Sequence, residues 1–364
     1  MPAVFLVLDS LDVGGAERST MLIAEGLRER GFRPFVVTLF RAGSLAAEAR
    51  AHGIDLINLN ATGVLTAVLP LRRLIRVFRP SLVHSVLLRS DVASRVAARL
   101  EGVPCVGSIV SDAYSDDRYN SLTPRKRLGL SLVQALDATT AGVLDAVVSI
   151  SDAIRLRGCA ARSIPIEKSV VIPRGRPTDW FQPHSPVASS YVLCVGRMVA
   201  GKGQADLIRA FEMVPAAREI GLWFAGDGPL RQELEAAAKD LPSVRFLGRR
   251  DDVPSLLAGA RMVVFPSHSE GQGGVVVEAM LAGTPLLATS IPPVLEHLNE
   301  DRARLFAPGD IEDLANQMRV ALAAPEEGVR RAESARKYAE AHLTASAMID
   351  AHVAMYMRLL GGTK

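Results

Sequence analysis

The sequence predicts an α/β protein built from two doubly wound, Rossmann-like domains. Three observations carry this. The chain has 364 residues, whereas a single hydrophobic core stops growing at about 250–300 residues. Short runs rich in Val, Ile and Leu alternate with helix-like segments, and runs without strict polar alternation suit parallel strands buried on both faces. The rhythm halts in a proline-rich stretch, Pro173 to Pro186, and then restarts. The expected domains are 1–180 and 181–345, facing each other across a cleft, with 346–364 as a terminal segment.

In the first half the expected strands are Ala3–Leu8, Phe35–Leu39, Asp55–Leu59, Ser81–Val86, Val103–Val110, Ala146–Ile150 and Val170–Ile172. Helices are expected at Glu17–Arg30, Leu45–His52, Thr66–Phe78, Ser90–Leu100 and Arg125–Ala138, the first closing on Gly31 as a C′ glycine would. In the second half strands at Tyr191–Val195, Gly221–Ala225, Val244–Leu247, Met262–Pro266 and Pro285–Thr289 alternate with helices at Gln204–Met213, Pro229–Leu241, Val253–Ala258, Val275–Ala282 and Asp310–Ala323. A last helical stretch runs from Glu326 to about Leu360.

A composition of 49% hydrophobic and 22% charged residues excludes bulk disorder. No uninterrupted apolar run approaches the roughly 18 residues of a transmembrane helix. The opening Met-Pro-Ala-Val-Phe-Leu-Val-Leu-Asp lacks a basic n-region and reads as a first strand rather than a signal peptide. Three widely spaced cysteines fit reduced thiols in a cytoplasmic chain, with no metal framework. The net charge of +3 divides into +6 over residues 1–180 and −3 over the rest. That asymmetry is too small and scattered for a nucleic-acid partner, and 5% aromatic content offers few stacking platforms.

The strongest constellation runs from Ser267 through Glu270-Gly271-Gln272-Gly273-Gly274-Val275 and Glu278 to Gly283 and Pro285. It follows a strand and opens a helix. Its glycines let backbone approach a ligand, and the helix N-terminus offers unpaired amides and a positive dipole end. Two carboxylates beside an anion cradle need donors, and sugar and ribose hydroxyls are such donors. The plain alternative is a flexible loop with a glutamate complementing the dipole. Gly196-Arg197, with Lys202-Gly203, follows another strand. Arg197 can fork two phosphate oxygens and Lys202 adds a mobile charge, enough to neutralise a diphosphate without metal. The alternative is a basic surface turn; the Walker spacing is absent.

Gly226-Asp227-Gly228-Pro229 is a strand–helix junction that capping alone can explain, with Asp227 near the N-cap. Asp12-Val-Gly14-Gly15-Ala16-Glu17 joins the first strand to the first helix and aims amides at the strand ends. Neither glycine pair completes G-x-G-x-x-G, which argues against a dinucleotide cofactor. His84 ends the fourth strand, where ligands gather in open α/β sheets, although a lone histidine is more often a packed one. Arg72, Arg73 and Arg76, and then Arg125-Lys126-Arg127, are basic helical clusters that read as solvated faces or, more sharply, as a membrane surface.

S-x-x-E-G-x-G-x-x-x-x-E-A-M-x-x-G-x-P over residues 267–285 resembles the signature of glycosyltransferase family 4, retaining nucleotide-sugar enzymes of the GT-B fold. The likeness extends in order through Gly14–Glu17, Ser149–Ser151, Val171–Gly175, Gly196-Arg197, Lys202-Gly203, Gly226–Gly228 and Leu247-Gly248. The resemblance implies that Arg197 and Lys202 hold the donor diphosphate, that Glu278 accepts from the ribose, and that Glu270 touches the transferred sugar. Gly14, Gly15, Gly196, Gly226, Asp227, Arg249, Gly271, Gln272, Gly273, Gly274 and Val275 would complete the donor site. Gly15, Glu270, Arg197 and Lys202 would stand at the reacting centre, with His84 a weaker positional match. Arg174 stands where the family usually has Asn, Gln272 where Phe is frequent, and the histidine common at the end of the fifth strand is replaced by the Ser108–Asp112 segment.

The resemblance also implies a C-terminal helix returning to the N-domain, an N-domain that takes the acceptor, and a C-terminal domain that takes the donor. The expected function is a metal-independent retaining glycosyltransferase with a UDP- or GDP-sugar as co-substrate and no cofactor. The acceptor stays open among a glycan, a lipid-linked sugar and a small metabolite, and the expected location is the cytoplasm, with peripheral contact at the inner membrane face left open. A GT-B epimerase or phosphorylase, or a non-catalytic sugar-nucleotide binding protein, is the alternative.

Overall fold

The structure is a computed structural model that describes residues 1–181 and 191–361, with the backbone alone for Asp117 and Arg218. Residues 182–186 of the expected linker and 362–364 of the expected terminal segment lie outside the described residues. The chain divides into two units, residues 1–174 with those from Ala345 onward, and Gly175–Thr344.

In the first unit, β1 (Ala3–Ser10), β2 (Arg33–Arg41), β3 (Asp55–Asn58), β4 (Leu82–Ser85), β5 (Cys105–Ile109), β6 (Ala146–Ser149) and β7 (Ser169–Val171) form one sheet in the order β3-β2-β1-β4-β5-β6-β7. Every pairing is parallel. The crossovers are α1 (Gly15–Glu29), α2 (Ala46–Ala51), α3 (Val64–Phe78), α4 (Leu88–Glu101), α5 (Asp116–Asn120), α6 (Pro124–Ala141) and α7 (Asp152–Ala161). Because side chains alternate across a strand, β1 sends Val4, Leu6 and Leu8 into one core and Phe5 and Val7 into the other. Gly31, with φ +81°, follows the end of α1 as its sequence implied.

The second unit repeats the plan. Its strands β8 (Val192–Val195), β9 (Leu222–Ala225), β10 (Val244–Gly248), β11 (Met262–Phe265), β12 (Leu286–Thr289) and β13 (Arg304–Phe306) are all parallel, in the order β10-β9-β8-β11-β12-β13. Its helices are α8 (Gln204–Glu212), α9 (Pro215–Arg218), α10 (Arg231–Ala237), α11 (Val253–Ala258), α12 (Gly274–Ala282), α13 (Pro292–Leu295), α14 (Ile311–Ala323) and α15 (Pro325–His342). Leu193, Val263 and Phe265 pack with α12 and α15 on one face, and Val192, Cys194 and Phe224 pack with α8 and α14 on the other.

The expected long terminal helix is two helices. It breaks at Leu343-Thr344, where the Leu343 carbonyl accepts from the Arg176 amide at 3.1 Å, and α16 (Ala345–Gly361) then joins the first unit. There Ile349 of α16 presses against Gly26 of α1, so closely that a Cβ at Gly26 would lie 2.3 Å from the Ile349 side chain. Arg30 fastens the same contact through Asp350 at 2.5 Å and Ser346 at 2.9 Å.

A polar network sits within the first unit. Asp137 of α6 is fully buried, and it meets Arg95 Nη1 at 2.6 Å, Arg162 Nε at 2.7 Å and the Tyr114 hydroxyl at 2.9 Å. Asp91, 3.7 Å from Arg95, has its pKa pushed up to about 6 by burial. Such a network adds little net stability over apolar packing, but losing one partner strands a buried charge. It fixes which side of α6 faces inward.

Candidate functional site

In the second unit, the loops leaving β8, β9, β10 and β11 gather at the C-terminal edge of the sheet, where ligands bind in open α/β folds. They interlock through backbone. The Gly196 amide donates to Ala225 O at 3.0 Å, and the Gly226 amide donates to Gly248 O at 2.8 Å. The Met198 amide donates to Asp227 O at 3.0 Å, and His268 N donates to Gly201 O at 2.8 Å. This dense packing explains the glycines. A Cβ on Gly226 would stand 2.1 Å from the Gly196 carbonyl oxygen, and one on Gly203 would stand 2.0 Å from Pro266 O.

Gly273 caps α12 with φ +83°. The amides of Gly274 and Val275 begin the helix and so have no intrahelical acceptor. On one side of this N-terminus Glu270 forms an ion pair with Lys202. On the other, Arg176 Nε donates to Glu278 Oε1 at 2.7 Å, and its Nη2 lies 2.8 Å from where a Gly274 Cβ would stand. Gln272 is buried and Val275 half-buried beside them. Arg197 is exposed, and among the described residues its guanidinium has no ion-pair partner; its carbonyl accepts from Gln204 Nε2 at 3.1 Å.

Sequence reasoning named both glutamates, Lys202 and Arg197 but missed Arg176. The only trace of it was a second arginine inside a proline-rich stretch. His268 was also passed over, although its Nε2 meets Asp206 at 2.6 Å and so ties the loop before α12 to α8. Asp227 is not a cap. Helix α10 starts at Arg231, after Leu230, and Asp227 instead accepts from the Gly228 amide at 2.7 Å. Arg249 is exposed just past β10, beside the Arg250–Asp252 pair.

In the first unit Gly14 caps α1 in extended conformation and Gly15 is the helix's first residue. The Glu17 carboxylate folds back over Gly14, and Arg174 Nη1 lies 3.2 Å from the place of a Gly15 Cβ. Burial raises the Glu17 pKa, and Arg174 partly offsets it. Asp12 accepts from Ser10 at 2.6 Å and from Arg41 at 2.6 Å, which hold its pKa down.

His84 is buried on β4, opposite Leu6 and Val106. It shares hydrogen bonds with the Tyr356 hydroxyl at 2.5 Å and Ser108 Oγ at 2.8 Å, so it ties β4 to α16 and to β5. Burial pushes its pKa well below that of an ordinary histidine, and nearby His352 adds to this.

Two doubly wound parallel sheets with glycine-rich loops at their strand ends are the GT-B architecture. The chain matches the family model for Glycosyltransferase Family 4 over residues 13–180 and that for Glycosyl transferases group 1 over residues 189–324. Together the two models span most of the chain, which resembles the family 4 glycosyltransferases in both of its units. It is 34% identical over 147 residues to the sulfoquinovosyl transferase SQD2 of Arabidopsis thaliana, a match covering 39% of this chain and 27% of that protein. It is 28% identical over 349 residues to a 2-deoxystreptamine N-acetyl-D-glucosaminyltransferase of Streptomyces fradiae, covering 83% and 81%. The chain spans half or less of the length of several curated relatives it matches. Among solved structures, Anabaena Alr3699/HepE in complex with UDP superposes with a TM-score of 0.83 over 98% of this chain and 99% of that one, at 22% identity.

Proposed function

We propose that this chain transfers a sugar, with retention and without metal, from a nucleoside diphosphate sugar to an acceptor hydroxyl. The observation that carries the reading is the Lys202–Glu270 pair beside the α12 N-terminus. It combines a mobile cation, a carboxylate able to accept from sugar hydroxyls, and a helix end that favours anions. Glu278 is the acceptor for ribose hydroxyls, with Arg197 as a second phosphate ligand. The relatives named as glycosyltransferases, and the Anabaena structure holding UDP, support a nucleotide-sugar donor and a uridine nucleotide in particular.

As the bond from C1 of the sugar to the phosphate oxygen breaks, negative charge gathers on the departing diphosphate. The amides of Gly274 and Val275, fixed before reaction, and the mobile side chains of Lys202 and Arg197 stabilise that charge. No carboxylate stands out as a nucleophile, so the acceptor oxygen attacks C1 on the face the phosphate leaves. Its proton passes to the departing phosphate oxygen. The expected location is the cytoplasm.

The test is to incubate the chain with UDP-glucose and GDP-mannose, with and without chelator, against a panel of sugar, lipid-linked and small-metabolite acceptors. The expected result is a chelator-resistant product whose anomeric configuration matches the donor's. Donor turnover with no acceptor, giving a second sugar nucleotide, would assign an epimerase instead. Donor binding with no turnover on any acceptor would leave a binding protein.

A further inference from the structure

The second sheet has an open cavity of about 490 Å³ at its N-terminal edge, opposite the edge that carries the glycine loops. Small-molecule sites ordinarily span about 300–1,000 Å³. Met262 at the start of β11, Leu286 at the start of β12, Leu322 of α14 and Val329 of α15 give the cavity an apolar lining. Three arginines share that lining: Arg261 just before β11, Arg304 at the start of β13, and Arg331 in the second turn of α15. Among the described residues no acid lines it. Behind the lining, Glu327 forms an ion pair with Arg304 through one carboxylate oxygen and accepts from Arg331 Nη2 at 2.7 Å through the other. Arg331 Nη1 also donates to Ala303 O at 3.1 Å. The Arg304 and Arg331 side chains are 15% and 21% exposed, so both are largely withdrawn from water. Two guanidinium groups sharing one carboxylate leave a positive charge over, and Arg261 brings a further cation to the same wall.

We propose that this cavity is a second ligand site, separate from the donor loops, that takes a small organic phosphate. The phosphate meets the arginines, and the apolar body of the ligand lies against Met262, Leu286, Leu322 and Val329. Arginine suits that head because its planar fork engages two phosphate oxygens at once. A phosphate monoester fits the leftover charge better than a carboxylate, since it carries about −1.5 to −2 near pH 7. The ligand would touch the start of β11, a strand of four residues whose other end leads into the loop of Glu270. This inference does not rest on the proposed reaction.

The experiment is calorimetric titration of the full chain with phenyl phosphate, inorganic phosphate and benzoate, each with excess UDP present to fill the donor loops. Phenyl phosphate joins an apolar ring to a dianion, whereas inorganic phosphate lacks the ring and benzoate carries a single charge. Phenyl phosphate should bind at least about tenfold tighter than either. Arg304→Met and Arg331→Met should each weaken it at least about tenfold, and Val329→Trp, which fills the cavity and leaves every charge in place, should abolish it. Glu327→Gln should tighten it about fivefold, because it removes the carboxylate that competes for both arginines. A cooperative thermal transition in each variant shows that it folds; Val329→Trp and Glu327→Gln decide the result if an arginine variant does not. Phenyl phosphate binding no tighter than inorganic phosphate would overturn the proposal, as would equal binding by the parent, Val329→Trp and the arginine variants. So would binding that survives those changes and is lost in Lys202→Ala, since the anion would then sit at the donor loops.

Discussion

Lys202 and Glu270 form an ion pair that joins the loop after β8 to the loop before α12. Their side chains are 28% and 14% exposed, so the pair is partly shielded from water. In the proposed reaction a donor diphosphate would draw Lys202 toward itself and leave Glu270 to accept from a sugar hydroxyl. The pair thus holds both groups near their working positions before the donor arrives.

Lys202→Ala and Glu270→Ala should therefore be strongly non-additive. Each alone is expected to lower kcat/KM by about 10²-fold, the scale of losing one oxyanion donor. Because the residues touch, the double variant should fall short of the product of the two effects by a coupling of about 0.5–3 kcal/mol. Steady-state kinetics of the four proteins measures this. Effects that simply multiply would show that the two groups act on separate steps.

Arg176 and Glu278 make a second prediction. Glu278 is held by Arg176 Nε at 2.7 Å, and its side chain is 20% exposed. If Glu278 recognises ribose, Glu278→Gln should weaken donor binding by about tenfold, since a hydrogen bond to a charged group is worth about 1.5–3 kcal/mol, and should leave kcat nearly unchanged. Arg176→Met should act through Glu278, weakening the donor in the parent background and far less in Glu278→Gln. Donor calorimetry in all four backgrounds decides it. Equal losses in both backgrounds would mean that Arg176 binds the donor directly.

Gly226→Ala tests the loop packing. The residue has φ +143°, and a Cβ would meet the Gly196 carbonyl at 2.1 Å, so a backbone carbonyl would have to move. Gly201 also has positive φ, +84°, but open space around it. Gly201→Ala should cost about 1 kcal/mol from the backbone conformation alone, and Gly226→Ala clearly more, up to about 3 kcal/mol. Thermal unfolding should show the larger drop in Tm for Gly226→Ala, and equal drops would mean that the carbonyl yields freely.

Most strands were legible because they are short apolar runs, the central ones buried on both faces, and the donor loops were legible because glycine and charge cluster immediately after such runs. What escaped has physical causes. Helices α5, α9 and α13 are five residues or fewer, too short to show a period. Strand β13 is three residues of mixed polarity, Arg-Leu-Phe, at a sheet edge. The break at Leu343-Thr344 lacks a glycine or proline and depends on the Arg176 amide, from a distant part of the sequence. For the same reason the partnership of Arg176 with Glu278 was invisible: the two residues are 102 positions apart. That Asp137 marks the inward side of α6 was hidden too, since its partners Arg95, Arg162 and Tyr114 all lie on other parts of the chain.

The buried histidines predict how stability responds to pH. Burial lowers His352 from 6.5 to about 4, and its Nδ1 donates to Met348 O at 2.8 Å. His297 is likewise lowered to about 4. A histidine whose folded pKa is depressed binds fewer protons in the native state than in the unfolded one. Its contribution is therefore complete above about pH 6.5 and is lost as pH falls toward 4. Asp91 works the other way: raised from 3.8 to about 6 by burial, it takes up a proton in the native state first, and so favours folding as pH falls through the same window. The isolating measurement is His352→Leu. Below about pH 6.5 its unfolding free energy should decline less steeply than the parent's, by up to one proton's worth, about 1.4 kcal/mol per pH unit. Urea titrations at pH 7.0, 6.0 and 5.0, values chosen to span about that window, supply the slopes. Identical slopes in parent and variant would show that His352 gains its proton in the folded state as readily as in the unfolded chain.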